Sequence, residues 1–419
     1  MIKEVFPLLY KKAVRRLLST QEVNAQLKRI VKAYDYPIFI AVVLLSLFGL
    51  VMVYSSSMIT AVARYEYSMD HFFQNQKNAL ILSFIIMMFF MILPYKLYKH
   101  KTFLMVMMGG IAFLLLIVTI VGHTAGNATS WFKLGARGVQ PAEFSKLAII
   151  IYLSAIYGKR QDRINDIDKA VIPPIVFLAG ICFLIILQPD YGSAAIILMI
   201  ACAIILCSGM NLKSIGKLLT IFLLVAGIFI LGVVVTGYTS DVFSKERISR
   251  FTGVSNPFDK GDEGFQLANA LLAIGSGGIT GVGLGDSVQK YGYLPESHTD
   301  FIMAIVAEEL GIFGVLFVLG TLGFIVLRGL ILSAKCKDPF GSLLLIGISS
   351  MMGIQVVINV GGVTGLLPIT GITMPFISYG GSSLLLLMVS IGIMENVIMR
   401  MNVMEQKEIV QTSSGNKSM

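Results

Sequence analysis

The feature that most limits what this chain can become is a succession of apolar runs of near-bilayer length, since a spanning helix takes roughly 20 residues. They fall near 36–56, 77–94, 103–121, 143–158, 171–187, 192–208, 217–236, 301–331, 341–361 and 376–399. Hydrocarbon offers no partner to a backbone N–H or C=O, so such runs must satisfy themselves as helices. With 56% hydrophobic and 14% charged residues in 419, composition agrees. The fold class this predicts is an all-α integral membrane protein of about ten transmembrane helices. Several runs are short or broken by Gly and Pro.

The formal net charge of +9 does not point to nucleic acid, because the basic residues follow membrane topology. Of the 33 Lys and Arg, 23 fall in segments assigned to the inside, the positive-inside pattern. An even number of spans then puts both termini in the cytoplasm, in a multi-pass protein of the cytoplasmic membrane. Three parts result: a cytoplasmic amphipathic segment 1–35, a polytopic domain 36–400 and a disordered cytoplasmic tail 401–419. In the first, Val5, Leu8, Leu9, Val14 and Leu17 interleave with Lys11, Lys12, Arg15 and Arg16, as in a basic helix lying on the inner leaflet or a solvated basic tail. It does not read as a secretory signal, because its apolar run starts too late. Cys182, Cys202, Cys207 and Cys336 offer no outer pair for a disulfide. His71, His100, His123 and His298 have no metal-ligand spacing.

Three segments assigned outside break the apolar pattern: 122–142 with the one tryptophan, Trp131; the long loop 237–300 between spans seven and eight; and 361–375, uncharged and rich in Gly and Pro. The last is apolar enough to dip back into the protein. The stretch Tyr291 to Gly314, YGYLPESHTDFIMAIVAEELGIFG, is a polar loop that turns into an apolar helix at Thr299-Asp300. Thr299 is a candidate N-cap. Glu308 lies about 12 Å deeper on roughly the same face as Asp300, and Glu309 follows it. Carboxylates at such depth cost roughly 2.5–3.5 kcal/mol each and face a cavity or a partner.

Four more motifs carry candidate chemistry. Glu143 and Lys146 in QPAEFSKLA can pair at i, i+3 on one helix, as a site or as a helix-orienting salt bridge. Gln188 and Asp190 in QPDYG sit where two spans meet almost without a loop; Asp190 is held near the outer face or simply forms the turn. Lys245, Arg247 and Arg250 are outer-side cations suited to an anionic headgroup or to a solvated face. Ser378, Tyr379 and Ser382 in FISYGGSS open the last span, where small residues permit close approach. The glycines of IGSGGITGVGLGD lack both the Gly-Lys-Ser/Thr ending and the GxGxxG spacing of nucleotide loops. They read as flexible loop packing.

Together and in this order, QPAEFSKLA, QPDYGSA, AIGSGG with GVGLG, YLPESHTDFIMAIVAEELG and GLLPITGITMPFISYGGSS resemble the SEDS family of shape, elongation, division and sporulation proteins (FtsW, RodA and SpoVE). The resemblance runs from the first span to about Arg400. The TGITMPFISYGGSS form is more similar to the FtsW division branch than to the elongation branch. It implies a ten-span SEDS fold and a peptidoglycan glycosyltransferase that polymerises lipid II at the outer face of the membrane, at the division septum. It implies Asp300 as catalytic base, with Glu143, Lys146, Asp190, Gln188, Arg247, Arg250, His298, Ser378, Tyr379 and Ser382 around the substrate. It also implies a single-pass class B penicillin-binding protein as transpeptidase partner, beside other division proteins. Many relatives carry Arg before the loop tryptophan, where this chain has Ser130; Lys133 or Arg137 would have to replace it.

An α-linked donor and a β-1,4 product imply one inverting displacement, with a base at the acceptor hydroxyl and positive charge at the diphosphate. Partial desolvation should raise the Asp300 pKa, against the pull of the helix N-terminus. The diphosphate charge would be met by Lys146, Arg247 and Arg250, or by a divalent cation, Mg or Mn, bridged by Asp300 or Asp190. The site should hold a groove wide enough for two lipid-linked sugars. A lipid II flippase, a division scaffold, or an elongation or sporulation paralogue are the alternatives, and buried carboxylates in broken helices suit a transporter too.

Overall fold

The structure is a computed structural model and describes residues 28–125, 128–134, 137–166, 171–218, 220 and 262–415. Ten helices organise these: α1 (Tyr36–Tyr65), α2 (His71–Ile92), α3 (Lys101–Val121), α4 (Pro141–Lys159), α5 (Ile172–Ile186), α6 (Tyr191–Leu206), α7 (Asp262–Gly277), α8 (Ile302–Lys335), α9 (Pro339–Val363) and α10 (Gly381–Gly415). Nine of the ten expected spans have their helix, and six helices are long and apolar enough to cross a membrane by length and composition. Beyond 218 and 220, the expected seventh span lies outside the described residues.

Local chemistry sets the helix starts. Asp35 caps α1, its carboxylate accepting from the Ile38 N–H at 3.2 Å, and a proline occupies the first turn, where its missing donor costs nothing. Prolines open α4 and α9 in the same way. At the centre, α9 packs against α4, α6 and α8, while α10 lies along α2. Buried side chains line most of α9 and α10. Asp35 and the start of α10's polar tail mark one end of the bundle. Asp300, the described residues of 122–140, and the segments 262–301 and 364–380 mark the other.

Four details depart from the sequence expectations. A small antiparallel sheet, β1 (His123–Ala125), β2 (Ala128–Leu134) and β3 (Arg137–Val139), in order β1-β2-β3, joins α3 to α4. The long loop 237–300 contains the sixteen-residue helix α7. The segment after Arg400 is not a disordered tail as far as Gly415: α10 runs on through good helix formers, with Asn402 donating to the Ala33 carbonyl at 2.8 Å. Finally, α8 is broken at Gly311, whose φ of 63° and ψ of −155° are non-helical.

Candidate active site

The segment between α7 and α8 is built into the bundle. It crosses the break in α8 backbone to backbone: Val282 N–H donates to the Glu308 carbonyl at 2.9 Å, Gly283 N–H to Glu309 at 3.0 Å, and Ile312 N–H to Ile279 at 3.2 Å. A Cβ at Gly277, Gly281 or Gly311 would overlap the facing carbonyl of Ala307, Glu309 or Ile279 respectively. Gly281 and Gly311 also hold positive φ. The glycine motif is therefore a close-packed clasp, and the reading as flexible loop packing is corrected.

Glu308 and Glu309 face this segment, and Glu308 does not share a cavity with Asp300 as helical spacing predicts. Glu308 accepts from the Ser287 hydroxyl and from the N–H groups of Val288 (2.9 Å) and Gln289 (3.4 Å). Glu309 accepts from Lys290 Nζ at 3.0 Å and from the Ser55 hydroxyl of α1 at 2.6 Å. Both partners of the Lys290–Glu309 pair are fully buried.

The chain then reaches Asp300 through a set of cross-ties. Ser297 Oγ donates to the Ser56 carbonyl at 2.9 Å, and Arg64 lies 3.6 Å from Glu296. Tyr379 N–H donates to the His298 carbonyl at 2.9 Å, and Ser378 Oγ to that of Thr299 at 2.6 Å. Asn359 Nδ2 donates to the carbonyls of Asp300 and Ile372, each at 2.7 Å. Thr299 is not the N-cap: α8 begins at Ile302, with Phe301 in the cap position. Its hydroxyl instead lies 3.0 Å from both Asp300 Oδ1 and Glu296 Oε2, so one proton serves two carboxylates.

Asp300 is half-buried beside a cavity of about 10 Å³ lined with Phe301, Asn359, Gly362, Thr370 and Ile372. That is room for about one water. Asp300 thus keeps part of its surface exposed beside this small cavity. Burial first, and then the nearby Glu296, push the Asp300 carboxyl up to about 7, against the bonds from Thr299 and its own backbone. Burial, with Arg64 adding to it, pulls buried His298 down to about 4, so its ring is neutral. The ring packs at 4.6 Å on Phe72 and 5.7 Å on Tyr379, with Nδ1 unpartnered.

A second arm adjoins this one. Asp190 caps α6, accepting from Ser193 N–H at 3.0 Å, and also accepts from Gln140 Nε2 at 2.9 Å. Ser382 Oγ donates to the Gly138 carbonyl at 3.0 Å and accepts from Gln140 N–H at 3.3 Å. One turn on, Lys146 and Glu143 form a buried ion pair, with Glu143 Oε2 left unpartnered. Gly192 packs on Thr370, so the Thr370–Ile372 backbone separates the Asp190 turn from the Asp300 cavity. Of segment 361–375, expected to dip back into the protein, Ile372, Met374 and Pro375 are buried, whereas residues 364–371 stay half-buried or exposed, Leu366 among the exposed.

The structure brings Asp300, His298, Ser378 and Tyr379 into one cluster and Asp190 and Ser382 into the neighbouring one. It does not bring Gln188 there: buried Gln188 donates to the Leu115 carbonyl at 3.1 Å and to Thr119 at 3.2 Å, tying α5 to α3. Arg247, Arg250 and Lys245 lie outside the described residues, as do the side chains of Ser130, Lys133 and Arg137. Sequence reasoning missed Asn359, Gln140 and Lys290. Asn359 had a signal, being with Gln355 one of two amides in a largely apolar run. A larger hollow of about 320 Å³, between α6 and α9, is lined almost wholly by apolar groups and sits away from the carboxylates, though Ile358 borders both.

Among the described residues no three His, Cys, Asp or Glu side chains converge to hold a metal, so these side chains form no all-protein cage. Asp190 has both oxygens engaged, which leaves Asp300 as the carboxylate better placed to share a cation with a phosphate ligand.

A many-span helical bundle with a half-buried acid before one of its spans defines a class of membrane protein, and sequence comparison says which. The family model described as "Cell cycle protein", covering FtsW, RodA and SpoVE, matches residues 36–403. The chain belongs to that family. It is 50% identical over 387 residues to the probable peptidoglycan glycosyltransferase FtsW of Bacillus subtilis, covering 91% of this chain and 94% of that one. It is 36% identical to the stage V sporulation protein E of the same organism, over 87% of this chain and 96% of that one. Among solved structures, a chain of a peptidoglycan synthase complex coordinating polymerization and crosslinking matches with TM-score 0.66 at 25% identity, over 88% of this chain and 98% of that one. The rod shape determining protein RodA of Thermus thermophilus matches with TM-score 0.61 at 26% identity, over 88% and 97%.

Proposed function

We propose that this protein is a peptidoglycan glycosyltransferase of the division branch, polymerising lipid II at the outer face of the cytoplasmic membrane. The observation that carries the reading is Asp300, an acid pushed up to about 7 at the loop-bearing end of the bundle. A base poised near the working pH combines a useful ionised fraction with real proton affinity. Asp300 takes the proton from the acceptor sugar's 4-hydroxyl as oxygen attacks C1 of the donor, and the lipid diphosphate leaves with the electron pair. Ile369 to Ile372 line the cavity beside Asp300, so segment 364–375 is the wall that a sugar meets there.

The leaving diphosphate needs positive charge. Lys146 is engaged by Glu143, so binding there means sharing the lysine with a carboxylate. Arg247 and Arg250 are the other protein candidates. A divalent cation, when bound, would neutralise the diphosphate, with Asp300 as the residue to help hold it. The similarity to a chain of a peptidoglycan synthase complex supports a partner enzyme that cross-links the product; a class B penicillin-binding protein acting with this chain at the septum is the form of that partner we propose.

The test uses purified full-length protein, its partner and lipid II. Glycan should form with the native chain and fail to form with Asp300→Asn. Movement of labelled lipid II between leaflets without glycan would instead make the protein a transporter.

A further inference from the structure

The Lys290–Glu309 pair is a fully buried ion pair that the proposed chemistry does not use. Lys290 Nζ is fully buried and meets three elements: Glu309 on α8 at 3.0 Å, Ser55 Oγ on α1 at 3.4 Å, and the Gly285 carbonyl of its own segment. A buried ion pair is a poor source of stability, and well-packed apolar residues often replace one at no loss. What it does supply is a fixed direction. Lys290 lies ten residues before Asp300; between them Asn269 of α7 holds the Tyr293 carbonyl at 2.9 Å, and Ser297 donates to the Ser56 carbonyl, on the residue after Ser55. Asn359 and Ser378 then hold the far side at Asp300 and Thr299.

We infer that Lys290, through its buried pair with Glu309, is a positioning residue: it locks segment 285–300 onto α1 and the broken α8 and so keeps Asp300 enclosed at its cavity. The inference deepens the glycosyltransferase reading and rests on it for its kinetic consequence. Its geometric consequence does not need that reading. Lys290 touches no substrate in this role.

Three full-length variants test it: Lys290→Met, Glu309→Gln, and Lys290→Met with Glu309→Met, which leaves no unpaired buried charge. Each is also made with Asp300→Cys, the four native cysteines being replaced by alanine, and probed in membranes with a charged maleimide. The double variant should melt like the native protein. Its kcat for polymerisation should nonetheless stay at least tenfold down with KM little changed. The acid limb of its pH–rate profile should move below about 7, because water reaches Asp300. Labelling at position 300 should rise at least tenfold in all three variants.

A double variant with native kcat, native acid limb and a still-protected position 300 would overturn the inference and leave the pair as plain scaffolding. If the native chain makes no glycan from lipid II, the glycosyltransferase reading falls alone. The labelling arm then decides: raised reactivity upholds the anchor, and unchanged reactivity overturns it.

Discussion

Asp35 and Asp300 look alike in sequence, each an acid just before a long apolar helix, and the structure treats them oppositely. Asp35 caps α1, and Arg328 Nε reaches both its oxygens at 2.8 and 2.9 Å. Its N–H donates to Glu395 at 2.9 Å. Asp300 caps nothing, has no ion pair to a cation among the described residues, and shares one hydroxyl proton with Glu296. The first is a closed electrostatic account within the protein. The second keeps lone pairs and a proton affinity to spare. An acid at a helix entrance becomes chemical when its surroundings leave it incompletely satisfied, and the depth at which it sits does not decide this.

The sharpest way to break the contrast is to neutralise each acid in turn. Asp300→Asn should cut glycan formation by at least about 10²-fold, the loss of a general base, with insertion and gel-filtration profile unchanged. Asp35→Ala should leave kcat alone and cost about 1–1.5 kcal/mol in a denaturation assay, most of it from the lost cap and the rest from the pair. Arg328 is more than a third exposed, so that second part is small. A comparable loss of kcat at both positions would erase the distinction.

The contrast also has a sign in pH. The Asp300 pKa is higher in the folded chain than its ordinary 3.8, so the unfolded chain loses this proton first as pH rises. Asp300 therefore stabilises the fold at low pH, and that contribution is lost as pH climbs through about 7. Asp300→Asn should accordingly melt higher than the native protein at pH 8, by ~1–2 kcal/mol after allowing for solvent screening, and equally with it at pH 4. Polymerisation by the native chain runs the other way, rising with pH through about 7 as the base ionises. A flat pH–rate profile from 5 to 8 would remove Asp300 from the chemistry.

The smallest expected effect tests the wall opposite the acid. Asn359→Leu removes the ties to Asp300 and Ile372 and should cost about 1–3 kcal/mol, since one buried and one part-buried carbonyl lose their donor. Glycan formation should fall severalfold by loss of alignment. Unchanged kinetics would mean that Asn359 only braces the loop.

Much of the bundle was legible because hydrocarbon leaves a long apolar run few options, and the described spans match those runs closely. Cross-ties between segments were not. Glu309 meets Ser55 across 254 residues and Lys290 across 19, distances at which helical spacing carries no information. That spacing put Glu308 on the Asp300 face, but the helix starts later and its neighbour is a folded-in segment. Thr299 fits the composition of a cap, yet Glu296 and Asp300 claim its hydroxyl. Asp190 is the reverse case: its ordinary reading as a turn residue and its place beside the site are both present, since it caps α6 and binds Gln140. The three-stranded sheet gave no signal, its strands being three to seven residues long.

The clasp at Gly277, Gly281 and Gly311 carries a lesson for anyone who scans this protein for inactive alleles. A single methyl group there would act as a wedge, prising apart two strands of main chain and tilting the whole span that leads to the acid. Such alleles would mimic loss of the base while touching no sugar. Only an assay of how the chain sits in the bilayer would tell a jammed hinge from a missing proton acceptor.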